Sequence, residues 1–154
     1  AERISATGAL VVQVNTGAGC HLDATMLERA LTTLGPPRGS VVVVENVGNL
    51  VCPALFDLGE AARVVVMSVT EGADKPLKYP HMFRIADLVL INKVDLLPYV
   101  PFDAELAEAN ARLVHPGMEI VRASATAPGG MDAWMLWLGT RMAAAKSPAQ
   151  AVLV

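Results

Sequence analysis

Five short apolar blocks, separated by stretches of helical period, restrict this chain to a narrow set of folds. They are Leu10–Val14, Val41–Glu45, Val64–Val69, Leu88–Ile91 and Glu119–Ala123. A short, continuous Val/Ile/Leu run without polar alternation is the pattern of a strand covered on both faces, as in a parallel sheet. Strand and helix alternate along the chain, which predicts an α/β fold: a mostly parallel sheet, helices on both faces, right-handed crossovers. The composition is 53% hydrophobic and 18% charged, yet the longest blocks, such as Val41–Val44 and Val64–Met67, fall far short of a membrane span. Such a span needs roughly 18 apolar residues in a row.

Four helices are expected between and after the strands. Leu22–Leu34 places Leu22, Met26, Leu27, Ala30, Leu31 and Leu34 on one face, with Asp23 as a cap. Asp103–Val114 starts at an N-cap aspartate, presents Leu106, Ala109 and Leu113 for burial, and stops at His115-Pro116-Gly117. Met131–Met142 carries Trp134, Met135, Leu138 and Met142 at helical spacing, and Leu77–Ile85 is a shorter helix interrupted by Pro80. Residues 1–146 are read as one domain and 147–154 as a frayed tail. The net charge of −3, without a basic block, argues against a nucleic-acid partner. Two cysteines without a secretory signal argue against a disulfide framework, so a cytoplasmic location without membrane attachment is expected.

In an open parallel sheet ligands bind beyond the carboxyl ends of the strands. The block Leu88–Ile91 runs directly into Asn92-Lys93-Val94-Asp95, the N-K-x-D pattern of guanine-reading loops. An ionised aspartate only accepts hydrogen bonds. Guanine presents a ring N–H beside an exocyclic amine, so Asp95 can accept from both, whereas adenine has no such pair of donors. Lys93 would lay its stem along the base, and Asn92 would tie the loop to its neighbours. About thirty residues on, the block Glu119–Ala123 ends in Ser124-Ala125-Thr126, like the S-A-x loop whose backbone N–H meets the guanine carbonyl. Asp95 also disfavours a related ATPase of the same sheet class.

Two further loops carry polar chemistry. Val41–Val44 leads into Glu45-Asn46-Val47-Gly48, which resembles the D-x-x-G switch with Glu for Asp. The Glu45 carboxylate would sit near Mg²⁺ or its water shell and the Gly48 N–H would face the γ-phosphate; a strand ending in a glycine turn would look the same. Cys20 and His21 follow the Gly-rich stretch Thr16–Gly19, and Cys52 lies four residues after Gly48. Two thiolates and an imidazole suit Zn²⁺ or Ni²⁺ and leave a coordination position open. The same cysteines could equally be small buried hydrophobes. His81 and His115 receive no role.

Four segments together resemble the HypB family of nickel-inserting GTPases: Gln13–Leu22, Glu45–Pro53, Ser68–Phe83 and Asn92–Tyr99, within a match running from Ala1 to about Leu138. The related urease nickel GTPase differs near its metal cysteine, where a Cys-Pro-His run is expected. The resemblance implies a P-loop GTPase (SIMIBI-like) domain. It also implies a GTP-hydrolysing nickel chaperone for [NiFe] hydrogenase, with GTP and Mg²⁺ at the nucleotide site and Ni²⁺ or Zn²⁺ on Cys20, His21 and Cys52. A homodimer across the metal region is implied too, with the hydrogenase precursor and other maturation proteins as partners. The family's phosphate loop, G-x-x-G-x-G-K-[ST], does not occur in the 154 residues, and in the Gly-rich stretch Thr16–Gly19 Ala18 replaces a lysine often seen in the family. The chain is therefore read as a domain lacking its N-terminal phosphate-loop part, poorly stable and with negligible GTP turnover. A metal-binding or docking module without enzymatic activity is the alternative.

Overall fold

Leu88–Asn92 (β2) is the strand that both faces of the fold close upon. Its first four residues are all buried, and successive strand residues point to opposite faces, so cover is needed on each. Val64–Ser68 (β1) and Glu119–Arg122 (β3) flank it, both parallel, in the order β1-β2-β3. Val66 lies beside Leu90, and Leu90 beside Val121. The computed structural model describes residues 2–17, 19, 21–46 and 48–146. Contacts divide the chain into two compact units, Ala1–Ala61 and Ala62–Val154.

In the second unit the core is assembled around β2. Lys75–Lys78 (α3), Pro80–Ile85 (α4) and Ala104–Val114 (α5) pack on one another, and Asp132–Lys146 (α6) packs on β3. Pro80 ends one helix and opens the next, because a proline lacks the N–H that a helix interior uses but a first turn does not. The single helix expected over Leu77–Ile85 is thus two. Phe83 of α4 is fully buried beside Met82 and Ala86. Asp103 caps α5 as expected, its Oδ1 accepting from the Leu106 N–H at 2.8 Å.

The buried face of α5 differs from the expectation. Leu106 is 50% and Leu113 75% exposed, Ala109 is exposed, and Ala104, Ala107 and Ala111 are buried instead. Alanines let a helix approach its neighbours closely, so the small-residue stripe went inward and the leucines outward. On α6, Trp137 is the buried residue, and Met135 is exposed. Arg122 at the end of β3 ties that strand to α5, its Nε 2.6 Å from Glu108 and its Nη2 2.9 Å from Glu105.

The first unit holds Glu2–Ser5 (α1), Ala24–Leu34 (α2) and a 3₁₀ helix, Cys52–Leu55. Asp23 caps α2 as expected, accepting from the Met26 N–H at 2.8 Å, and Gly35 closes it in the left-handed region. The strands expected at Leu10–Val14 and Val41–Glu45 do not form. Among the described residues of this unit, no ladder hydrogen bond joins these segments to each other or to another segment. Val41, Val42, Val43 and Val44 are all exposed, as is Leu10. A β-branched run becomes a strand only when a neighbour accepts its backbone groups. Cys20 and the tail 147–154 lie outside the described residues. Among the described residues, no helix is long and apolar enough to cross a membrane.

Candidate functional site: a guanine-type loop pair and a thiol–imidazole loop

The parallel pairing of β2 and β3 delivers two loops to one edge of the sheet. Ile91 lies beside Arg122, and the ladder continues past it: the Ala123 N–H donates to Ile91 O at 2.8 Å, and the Val94 N–H donates to Ala123 O at 3.1 Å. The loop after β2 is thereby fastened to the loop after β3. Lys93 sits at φ 63°, ψ 34°, the left-handed region, which costs an L-residue on the order of 1 kcal/mol. Asn92 supports that turn by accepting the Lys93 N–H on its Oδ1 at 2.8 Å. Such strain persists where surrounding contacts hold it.

Asp95 lies in the first turn of the 3₁₀ helix Val94–Tyr99 and is exposed. Ser124, only 1% exposed, donates its hydroxyl to Asp95 Oδ1 at 2.5 Å. Thr126 donates to the other oxygen, Oδ2, at 3.4 Å. Ser124 Oγ in turn accepts the backbone N–H groups of Thr126 at 3.3 Å and Ala127 at 3.1 Å. One buried hydroxyl therefore shapes its own loop and aims the carboxylate of the other. The Ser124 hydroxyl is the main cause that holds the Asp95 carboxyl below the usual carboxylate range. Desolvation opposes it, while the aspartate's own N–H, Thr126 and the Lys93 charge add to the lowering.

This carboxylate is ionised at neutral pH and accepts only, which is the chemistry a pair of adjacent N–H donors requires. A depressed folded-state pKa means the Ser124–Asp95 contact contributes stability above the unfolded aspartate's pKa. That contribution is lost as the pH falls through the folded value. Ser124→Ala is expected to bring the Asp95 pKa up toward the ordinary aspartate value, measured by carboxyl NMR titration. An unmoved midpoint would show that another group sets it.

The loop after β3 is closed by Gly130. Its carbonyl accepts the Ser124 N–H at 2.9 Å, and its N–H donates to Ala127 O at 3.0 Å. A Cβ at this position would lie 2.3 Å from Ser124 O. Only glycine fits.

In the first unit, Cys52 begins the 3₁₀ helix Cys52–Leu55 and is partly buried. Asn49 Oδ1 accepts the N–H groups of Val51 at 3.0 Å and Cys52 at 2.9 Å, fixing where the cysteine enters the turn. The His21 ring stacks on Phe56 at 3.8 Å between centroids, with planes 5° apart. Asn46 Oδ1 accepts the Leu22 N–H at 3.3 Å. Among the described residues no group of three or more His, Cys, Asp or Glu could hold a metal. The expected triad includes Cys20, which is outside them. Glu45 and Gly48 are both exposed.

Residues 1–122 match the family model for the CobW/HypB/UreG nucleotide-binding domain. The crystal structure of the hydrogenase maturation factor HypB from Archaeoglobus fulgidus is 40% identical, with a TM-score of 0.84 over 92% of this chain and 68% of that one. The chain belongs to the HypB family.

HypB from Helicobacter pylori, solved in complex with nickel, superposes with a TM-score of 0.87 at 33% identity, over 97% of this chain and 72% of that one. The hydrogenase maturation factors HypB of Azotobacter vinelandii and Escherichia coli K12 are 56% and 58% identical over 94% of the chain. The chain spans about half the length of these curated relatives. Its fold is the α/β fold of the P-loop GTPase class, shared with the HypB structures.

Within this HypB chain, the loop pairing brings Asn92, Lys93 and Asp95 together with Ser124 and Ala125, and His21 shares the first unit with Cys52. Four contributors were not singled out from sequence: Thr126, Gly130, Asn46 and Phe56. Thr126 and Gly130 had a visible signal, a hydroxyl two places after Ser124 and a Gly-Gly pair ahead of a helix. Asn46 and Phe56 had none, since their partners lie 24 and 35 residues away.

Proposed function

We propose that the chain is the guanine-reading and nickel-carrying part of a GTPase metallochaperone for [NiFe] hydrogenase maturation, in which GTP hydrolysis is coupled to nickel delivery. The observation that carries this reading is Asp95, whose two oxygens are oriented by Ser124 and Thr126 at the carboxyl edge of adjacent parallel strands. Asp95 accepts from the guanine ring N–H and amine. Lys93 lies along the base, Asn92 holds the turn, and the Ser124-Ala125 backbone meets the guanine carbonyl. Two kinds of relative support the rest: factors named for hydrogenase maturation and a HypB solved with nickel.

Glu45 and Gly48 are assigned to the γ-phosphate side. A hard cation prefers carboxylate oxygen, so Glu45 is the described residue suited to hold Mg²⁺ or its water, and Mg²⁺ would neutralise phosphate charge there. Cys20, His21 and Cys52 are assigned to the nickel cargo, with zinc as the competing ion. A thiol and an imidazole are soft and borderline donors, and both metals accept them. A homodimer through the metal region, a hydrogenase precursor and other maturation proteins in the cytoplasm complete the reading. Residues 1–146 act as part of one GTPase domain. Hydrolysis itself is assigned to the whole protein, since the 154 residues contain no phosphate loop.

The segment from Glu45 to Cys52 includes both the γ-phosphate residues and a metal ligand, so reorganisation of one end should move the other. The test is Ni²⁺ affinity of the intact protein, measured with GDP and with a non-hydrolysable GTP analogue. A difference between the two states is expected, lost together with tight binding in Cys52→Ala. Equal affinities would sink the coupling. Displacement of bound GDP by ATP as readily as by GTP would sink the guanine reading and leave a metal-binding module.

A further inference from the structure

We propose that Asn46 and Phe56 are positioning residues for His21, gripping the His21–Leu22 turn from the segment that also carries Cys52. The inference rests on the assignment of His21 and Cys52 to the nickel site. Neither Asn46 nor Phe56 is offered as a ligand.

Two independent contacts make the grip. Leu22 is 6% exposed, so its N–H is costly to leave without an acceptor, and Asn46 Oδ1 supplies one from 24 residues away. Phe56 then covers one face of the His21 ring, nearly parallel at 3.8 Å. The lone pair by which an imidazole binds a metal lies in the plane of the ring, and a stacked partner occupies only a face. The stack therefore fixes the ring plane through a face and not through the edge by which an imidazole coordinates.

The two gripping residues lie on either side of Cys52 in sequence. Between them, Asn49 turns the chain by accepting the Val51 and Cys52 N–H groups. One segment, residues 46–56, thus sets the entry of Cys52 and the plane of His21 together. Groups that orient a metal ligand from outside the coordination shell commonly affect metal affinity by about 10- to 100-fold. Asn46 adjoins Glu45, so rearrangement at the γ-phosphate residues is transmitted to His21 through this side chain.

The experiment is a Ni²⁺ titration of the intact protein, followed by affinity and by the ligand-field and thiolate-to-nickel charge-transfer absorption, with thermal unfolding alongside. The variants are Asn46→Ala, Asn46→Asp, Phe56→Leu, Phe56→Tyr and His21→Ala. Asn46→Ala and Phe56→Leu are expected to weaken Ni²⁺ binding roughly ten-fold and shift the ligand-field bands, while the charge-transfer band of the cysteines persists. Asn46→Asp keeps an acceptor oxygen and Phe56→Tyr keeps the ring, so both should stay within about three-fold of the parent. If His21→Ala weakens binding and neither Asn46→Ala nor Phe56→Leu does, the grip is wrong and the metal assignment stands. If one of the two leaves affinity unchanged, the proposal fails for that residue. Failure of the conservative variants to restore affinity also overturns it, because the loss would then be one of general folding. Unchanged binding in His21→Ala removes the metal assignment and this proposal with it.

Discussion

Asp95→Asn is expected to lower the affinity of the intact protein for guanine nucleotides by a factor on the order of 100 and to raise that for xanthine nucleotides. An ionised carboxylate presents two acceptors to the two adjacent donors of guanine. An asparagine keeps one acceptor and turns an amide N–H toward the guanine amine, setting donor against donor. Xanthine carries a carbonyl where guanine carries that amine, so the amide N–H finds an acceptor. Ser124 can still donate its hydroxyl to the amide oxygen, as it does to Asp95 Oδ1 at 2.5 Å, so the loop should keep its shape. Competition binding with GDP, XDP and ADP measures the switch. Equal weakening toward guanine and xanthine would mean that the substitution damaged the loop, and unchanged GDP binding would remove Asp95 from base recognition.

The second large effect is expected away from any base contact. Gly130→Ala should destabilise the second unit by about 2–3 kcal/mol, within the usual range for forced overpacking. The added Cβ would meet Ser124 O at 2.3 Å and both Ala127 O and Ser124 Cβ at 3.0 Å. Two of these atoms are backbone, so relief requires moving the loop rather than turning a side chain. The same movement takes Ser124 away from Asp95 and should weaken guanine binding. Gly139→Ala supplies the contrast: it lies inside α6 with open space around the new Cβ. There alanine should stabilise by about 0.5–1 kcal/mol, because glycine is the poorer helix former. Denaturant unfolding of both variants decides the matter, and similar midpoints for the two would refute the steric argument.

The placement of the two loops proposed to read guanine was legible before any coordinates. N-K-x-D after Leu88–Ile91 and S-A-T after Glu119–Ala123 are local patterns, and both loops stand where the strands predicted them. The caps Asp23 and Asp103 were legible for the same reason, since a cap is settled within three residues of its partner. The helix faces were less so. Periodicity on Asp103–Val114 pointed to Leu106 and Leu113, and the structure buries Ala104, Ala107 and Ala111. Apolarity alone does not say whether a large or a small residue suits the gap to the next helix.

Local chemistry in the sequence therefore settled the loops, the caps and the family resemblance, because each depends on residues a few places apart. Pairing and support were left to tertiary structure. Val41–Val44 reads as strongly as a strand as Val64–Met67 does, yet only Val64–Ser68 finds a parallel neighbour among the described residues. Backbone hydrogen bonding is a property of two segments, and no single run encodes it. The Ser124 hydroxyl on Asp95, the Gly130 close approach and the Asn46–Phe56 grip on His21 belong to the same class. Each arises where folding brings separate stretches within about 4 Å, a distance at which one hydroxyl or one absent methyl determines the outcome.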